Sequence, residues 1–184
     1  MESKLSISQN VVDRCRKGDG SAYNEVYQMC SKGVFNSILR IVRQREEAED
    51  LLQETFMSAF QNIKSYRGEA SLFGWIKRIG VNKALNAIKK RKIQFEYEET
   101  DAIEEESEEA EWEQLKLNAR DILENLSELP EGFRVVLTLY LFEGYTHKAI
   151  AEELGISENT SKTQYLRGKK KLKEHLLHSY EGTR

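Results

Sequence analysis

Cysteine is scarce in this chain. Cys15 and Cys30 stand alone among 184 residues, too few for a disulfide framework and without the paired spacing of a metal site. Buried free thiols are expected. The three histidines, His147, His175 and His178, are scattered, so neither a metal site nor a catalytic base is assigned and no cofactor is expected. No stretch approaches the ~20 consecutive apolar residues that span a bilayer. The opening MESKLSISQN lacks the charged-then-apolar build of a secretory signal, and a cytoplasmic location is expected. A single proline, Pro130, and few glycines outside turn positions leave long helices as the favoured structure. At 39% hydrophobic residues the chain can build packed cores, in one domain or two small ones.

Charge is present in quantity but segregated. The formal net charge is −3, yet residues 61–95 hold nine Lys/Arg and one acid, Glu69. Residues 96–113 hold eleven Asp/Glu and no Lys/Arg, and residues 162–173 hold six Lys/Arg and no acid. A basic, acidic, basic order provides two separate surfaces for polyanions. The dense like charges of the middle run repel one another, so a mobile linker is expected there. The dense carboxylates lie in that linker, which cannot hold catalytic geometry, so an enzyme is not expected.

Residues 146–172, THKAIAEELGISENTSKTQYLRGKKKL, read as two helices around a tight turn. Ile150, Ala151 and Leu154 give the first helix one apolar face. Gly155 follows at once and suits the left-handed residue that ends a helix. Ser157 can cap the next helix by accepting a bond from an unpaired backbone N–H. In that helix Ser161, Tyr165, Gly168 and Leu172 share one side, while Asn159, Lys162, Thr163, Leu166, Arg167 and Lys170 point elsewhere. Small residues inward and donors outward suit a helix lying in the major groove of DNA.

Four helices are expected upstream: 11–17, 21–43, 46–63, and one capped by Ser71 and running to about Ile93. Residues 64–70, KSYRGEA, have no apolar period and read as a loop. The fourth helix changes character midway. Leu72, Ile76 and Ile79 share a face whose continuation carries Asn82, Lys83, Asn86 and Lys90, whereas Val81, Leu85 and Ile88 lie roughly opposite. Two readings fit: donors tracking a phosphate backbone while offering amides to bases, or a helix passing between two packing surfaces. Past the acidic run, 112–126 reads as a helix, Pro130 suits the first turn of another, and 131–142 is apolar on most sides, with Phe133, Val135, Val136, Leu137, Leu139 and Leu141 expected inside. The fold class is therefore all-α: two small helical domains joined by an acidic flexible linker, with a C-terminal helix-turn-helix.

The segments AEDLLQETF at 48–56, FGWIKRIGVNKALNAIKKRK at 73–92 and the stretch 126–172, in this order, resemble bacterial sigma factors of the extracytoplasmic-function group, the smallest members of the sigma-70 family. The resemblance covers nearly the whole chain apart from the linker and the ends. It implies a division into a region 2-like domain at 1–95, the acidic linker at 96–111 and a region 4-like domain at 112–184. It implies a protein that binds core RNA polymerase and directs promoter recognition, DNA melting and transcription initiation.

The resemblance also implies roles for particular residues. Glu49, Asp50, Gln53 and Glu54 would meet a helical coiled coil of the polymerase core. Tyr66, Arg67 and Gly68 would form the loop that catches a base flipped from the melted strand, with Tyr66 offering a ring face and Gly68 allowing close backbone approach; Phe73 and Trp75 are expected in the core. Arg78, Asn82, Lys83, Asn86 and Lys90 would bind the start-proximal (−10) promoter element, and Asn86 stands where many relatives carry aspartate. Asn159, Lys162 and Thr163 would read base edges of the upstream (−35) element, with Arg167, Lys169, Lys170 and Lys171 positioning the helix. Ser161 stands where valine is common and is expected to weaken the seam slightly. Gln164 stands where arginine is common and is expected to shift sequence preference. The linker would act as a spacer or thread into the cationic channels of the polymerase. The family further implies an anti-sigma factor as inhibitor.

Two other classes remain open at this level: a stand-alone helix-turn-helix transcriptional regulator, and a helical adaptor that binds only proteins. The first usually carries an α/β domain upstream, of which no strand runs are seen. The basic stretch 64–92 weighs against the second.

Overall fold

A computed structural model describes residues 7–91 and 119–181, which form two separate helical units. The acidic linker expected at 96–111, the beginning of the helix expected from Trp112 and the end of the fourth helix toward Ile93 lie outside the described residues. Among the described residues there is no strand, in line with the all-α expectation.

The N-terminal unit is built from α1 (Gln9–Arg16), α2 (Gly20–Val42), α3 (Arg45–Gln61), a short 3-10 turn (Ile63–Ser65) and α4 (Leu72–Lys90). Asp19 starts α2 by accepting from the backbone N–H groups of Ser21 and Ala22. Arg14 bonds the same carboxylate at 2.8 Å. That bond, and then those from Ser21, hold Asp19 down at about 2. Helix α2 runs through the centre, with Val26, Val34, Ile38 and Ile41 fully buried. Cys15 and Cys30 are buried free thiols, as expected, and burial raises the pKa of both, that of Cys30 to about 11.

Helix α4 packs on both α2 and α3, and this explains why its apolar face moves. Gly80 sits against α2 so closely that a Cβ there would lie 3.1 Å from both Ile38 and Val34. The buried stripe begins with Leu72 and Ile76 and, past this crossing, passes to Val81, Ala84, Leu85 and Ile88. The helix does pass between two packing surfaces, and it also leaves a continuous polar face.

The C-terminal unit comprises α5 (Ala119–Glu128), α6 (Glu131–Leu137), a π-helical turn (Thr138–Phe142), α7 (His147–Leu154) and α8 (Glu158–Glu181). Its core is Leu126, Leu129, Phe133, Leu137, Leu172 and Leu176. Gly168 lets α8 rest on α6: a Cβ there would come within 3.0 Å of Leu137 and 3.1 Å of Phe133. One expectation fails here. Leu141 is 49% exposed: the wider repeat of the π-helical turn brings the next residue, Phe142, against the core instead. No described helix is long and apolar enough to cross a membrane.

Candidate nucleic-acid interface

In α4, Arg78, Asn82, Asn86 and Lys90 are all exposed. They recur every four residues, so they form one row with steps of about 6 Å along the axis. Ser71 opens the helix, its hydroxyl accepting from the Gly74 N–H at 3.0 Å. Lys83 stands off the row. It reaches α3 and bonds Glu54 at 3.2 Å, so two residues expected to serve different partners hold each other.

The preceding loop is held from within. Tyr66 is only 9% exposed; its hydroxyl donates to the Ala70 carbonyl at 2.6 Å, and its ring lies 5.4 Å from that of Trp75. The Tyr66 carbonyl accepts from Arg16 Nη2 at 2.8 Å. The ring face expected on the surface is therefore turned inward: Tyr66 shapes the loop, and Arg67 and Gly68 form its exposed tip. Gly68 has φ +79° with nothing near its Cβ position, so glycine is needed there for the left-handed turn. Phe73 packs over Gly33, where a Cβ would be 2.8 Å from the ring.

On α3, Glu49, Asp50, Gln53 and Glu54 are exposed. Glu49 also bonds Arg45 at 2.8 Å. Met57 falls on the same face and is 61% exposed, the most open of the large hydrophobics among the described residues. The sequence reading passed over it, although its position four residues after Gln53 was a usable signal. Beside this face an open hollow between α2 and α3 is lined by Tyr27, Phe35 and Leu52 with Glu49 and Gln53.

The helix-turn-helix has the expected joints at Gly155 and Ser157. Thr146 caps α7 by accepting from the Ala149 N–H at 3.2 Å. Gly155 ends it in the left-handed region, φ 68° and ψ 34°. Ser157 caps α8 by accepting from the Thr160 N–H at 2.9 Å. Asn159, Lys162 and Lys170 are exposed, and Thr163, Arg167 and Lys169 are half-buried on the flanks. Lys162 bonds Glu158 at 2.8 Å. Lys171 lies over the Phe133 ring, 5.4 Å from its centre, and so is drawn toward the core. Gln164 is 2% exposed, which overturns its expected part in sequence preference. It lies three residues after Ser161 and four before Gly168, on the packed side of the helix.

The seam between α7 and α8 carries a feature the sequence reading did not find. His147 Nδ1 and the buried Ser161 Oγ are 3.0 Å apart. Tyr140 stacks on the imidazole at 4.5 Å, and Tyr165 meets its edge at 5.5 Å. Ser161 is thus partnered rather than a mere loss of packing. Burial, and then Lys162, lower the His147 pKa, against the pull of Glu158.

Two cation-bearing helical surfaces, one of them a helix-turn-helix, define a DNA-binding protein. Residues 26–93 match Sigma-70 region 2 and residues 119–172 match Sigma-70, region 4. The chain is 26% identical to the RNA polymerase sigma-H factor of Pseudomonas aeruginosa, over 91% of this chain and 93% of that protein. It is 28% identical to the ECF RNA polymerase sigma factor SigM of Bacillus subtilis, over 82% of this chain and 92% of that one. Its fold is similar to that of the sigma factor RpoE of Bartonella quintana, solved in complex with the anti-sigma factor NepR, with a TM-score of 0.50 and 21% identity over 84% of this chain and 96% of that one. The chain belongs to the sigma-70 family, in its extracytoplasmic-function group, and directs the initiation of transcription. That family is not one of catalytic enzymes.

Proposed function

We propose that the two units divide promoter recognition between them, residues 1–95 serving the melted start-proximal element and residues 112–184 the duplex upstream element, with 96–111 as the connection. The observation that carries this reading is the exposed row Arg78, Asn82, Asn86 and Lys90, which directly follows the Arg67–Gly68 tip. Cations in that row neutralise phosphates, and its amides offer both donors and acceptors to bases. A flipped base needs compensation for lost stacking, and the Arg67 guanidinium and the loop backbone supply it. In α8, Asn159, Lys162 and Thr163 face base edges, while Arg167, Lys169 and Lys170 hold the phosphates.

The face formed by Glu49, Asp50, Gln53 and Glu54 docks on core polymerase, with the exposed Met57 as its apolar centre. Bond-making in RNA belongs to the polymerase, and the chain itself catalyses nothing. It works in the cytoplasm with that enzyme. An anti-sigma factor, of the kind seen bound to the Bartonella quintana protein, would hold it inactive by covering these surfaces.

The test is reconstitution with bacterial core polymerase and mapping of transcript starts on genomic DNA. New starts sharing two spaced elements are expected; silent templates and no association with core would contradict the reading.

A further inference from the structure

The geometry points to Arg16, on the first helix, as the positioning residue of the strand-opening loop, and so as a determinant of base choice that does not itself touch DNA. The inference rests on the proposed role of residues 64–70. Arg16 is 50 residues from the loop in sequence, yet its Nη2 donates to the Tyr66 carbonyl at 2.8 Å. Its Nη1 is bonded to Asp13 Oδ1 at 3.0 Å, one turn back on the same helix. The guanidinium is therefore clamped between a rigid helix and the loop backbone. Its planar fork makes both bonds at once, and each is charge-assisted.

The point of contact matters. Tyr66 is the residue immediately before the exposed Arg67–Gly68 tip, and its side chain is already fixed by the Ala70 carbonyl and the Trp75 ring. Those two anchors hold the side chain and leave the peptide between Tyr66 and Arg67 able to rotate. Arg16 removes that freedom by fixing the carbonyl. The tip is then set before DNA arrives, and the ordering entropy of capture is reduced. Because the acceptor is a backbone atom, the clamp acts whatever the loop side chains are.

The experiment uses the full chain assembled with bacterial core polymerase. The probe is a forked DNA whose single-stranded arm is a randomised heptamer, with sequencing of the bound fraction. Arg16→Gln is expected to lower affinity for the wild-type-selected arm by about tenfold, as for loss of one charge-assisted bond. It should also flatten the preference at a single arm position, while affinity for core stays as in wild type. Arg16→Lys, which retains a charged donor, should restore most of the preference. Tyr66→Phe removes the hydroxyl anchor of the same loop, and its effect should be non-additive with Arg16→Gln.

Unchanged affinity and an unchanged preference profile for Arg16→Gln would overturn the inference. So would a loss of core binding in step with arm binding for both Arg16 variants, since that marks general destabilisation. If wild type itself selects no arm sequence, the assignment of the loop fails, which is a separate result.

Discussion

Gly80 in the N-terminal unit and Gly168 in the C-terminal unit occupy the same kind of place. Each lies in the helix assigned to DNA, on the side away from the donors, where that helix presses on a core helix. Each would bring a Cβ to about the same distance from its neighbours, 3.1 Å at Gly80 and 3.0 Å at Gly168. The surroundings differ. Gly80 meets the outer atoms of the Ile38 and Val34 side chains, whereas Gly168 meets the Cβ of Phe133 as well as Leu137. An outer methyl can move by rotamer change, but a Cβ moves only with its backbone. The comparison shows one packing solution set in two matrices, one yielding and one stiff. A second contrast lies in the seams: at Gly80 the α2–α4 crossing is lined by the aliphatic Ile38 and Val34, while the α7–α8 seam holds a hydrogen bond under two tyrosine rings.

The sharpest break in the comparison is expected at the glycines. Gly168→Ala should destabilise the C-terminal unit by roughly 2 kcal/mol, overpacking outweighing the gain in helix propensity. Gly80→Ala should change the N-terminal unit by less than about 1 kcal/mol. Hydrogen exchange resolved along the full chain measures both, and equal effects would remove the distinction. Next, Met57→Asp should weaken association with core polymerase by about tenfold or more, as for a truncated interface anchor, a loss no exposed residue of α8 should reproduce. Replacing Asn82 and Asn86 together by Ala should reduce capture of a pre-opened start-proximal strand by about tenfold, while contact with an upstream duplex is kept. Arg167→Ala should do the reverse, lowering upstream-duplex affinity and the salt slope by about one with core affinity intact; a promoter-duplex titration checks it.

The smallest effect is that of pH. His147 has a folded-state pKa below its unfolded value, so its contribution to stability is full above the ordinary histidine range and is lost as pH falls through the folded value. Asp19, held at about 2, stabilises the N-terminal unit above the ordinary carboxylate range and releases that contribution only as pH falls toward 2. Between pH 7.5 and 5 the C-terminal unit should therefore loosen first, and His147→Gln should flatten that dependence. Circular dichroism of wild type and variant at each pH gives the answer.

What was legible in the sequence was what short-range chemistry dictates. The turn at Gly155 and the cap at Ser157 follow from residues one to three positions apart, and the exposed row of α4 follows from a four-residue repeat. What was hidden depends on partners distant in sequence or on polarity overruling periodicity. Tyr66 reads as an available ring until the Ala70 carbonyl and the Trp75 ring close on it. Gln164 carries an amide that suggests a surface role, although its spacing from Ser161 and Gly168 sets it inside. His147 was one of three scattered histidines until the fold brought it to Ser161. The π-helical turn leaves no mark in an apolar run, so the sequence pattern alone puts Leu141 on the wrong side.

The most direct test of separate recognition by the two units is to probe one promoter complex at both ends. Holoenzymes carrying either Asn82→Ala with Asn86→Ala or Arg167→Ala would be compared with wild type, reading upstream protection from nuclease and exposure of unpaired thymines near the start on the same template. The account predicts that the first variant keeps protection and loses opening, and that the second loses protection yet still opens a template supplied with a pre-melted start region. Loss of both signals together in each variant, at unchanged core affinity, would contradict it.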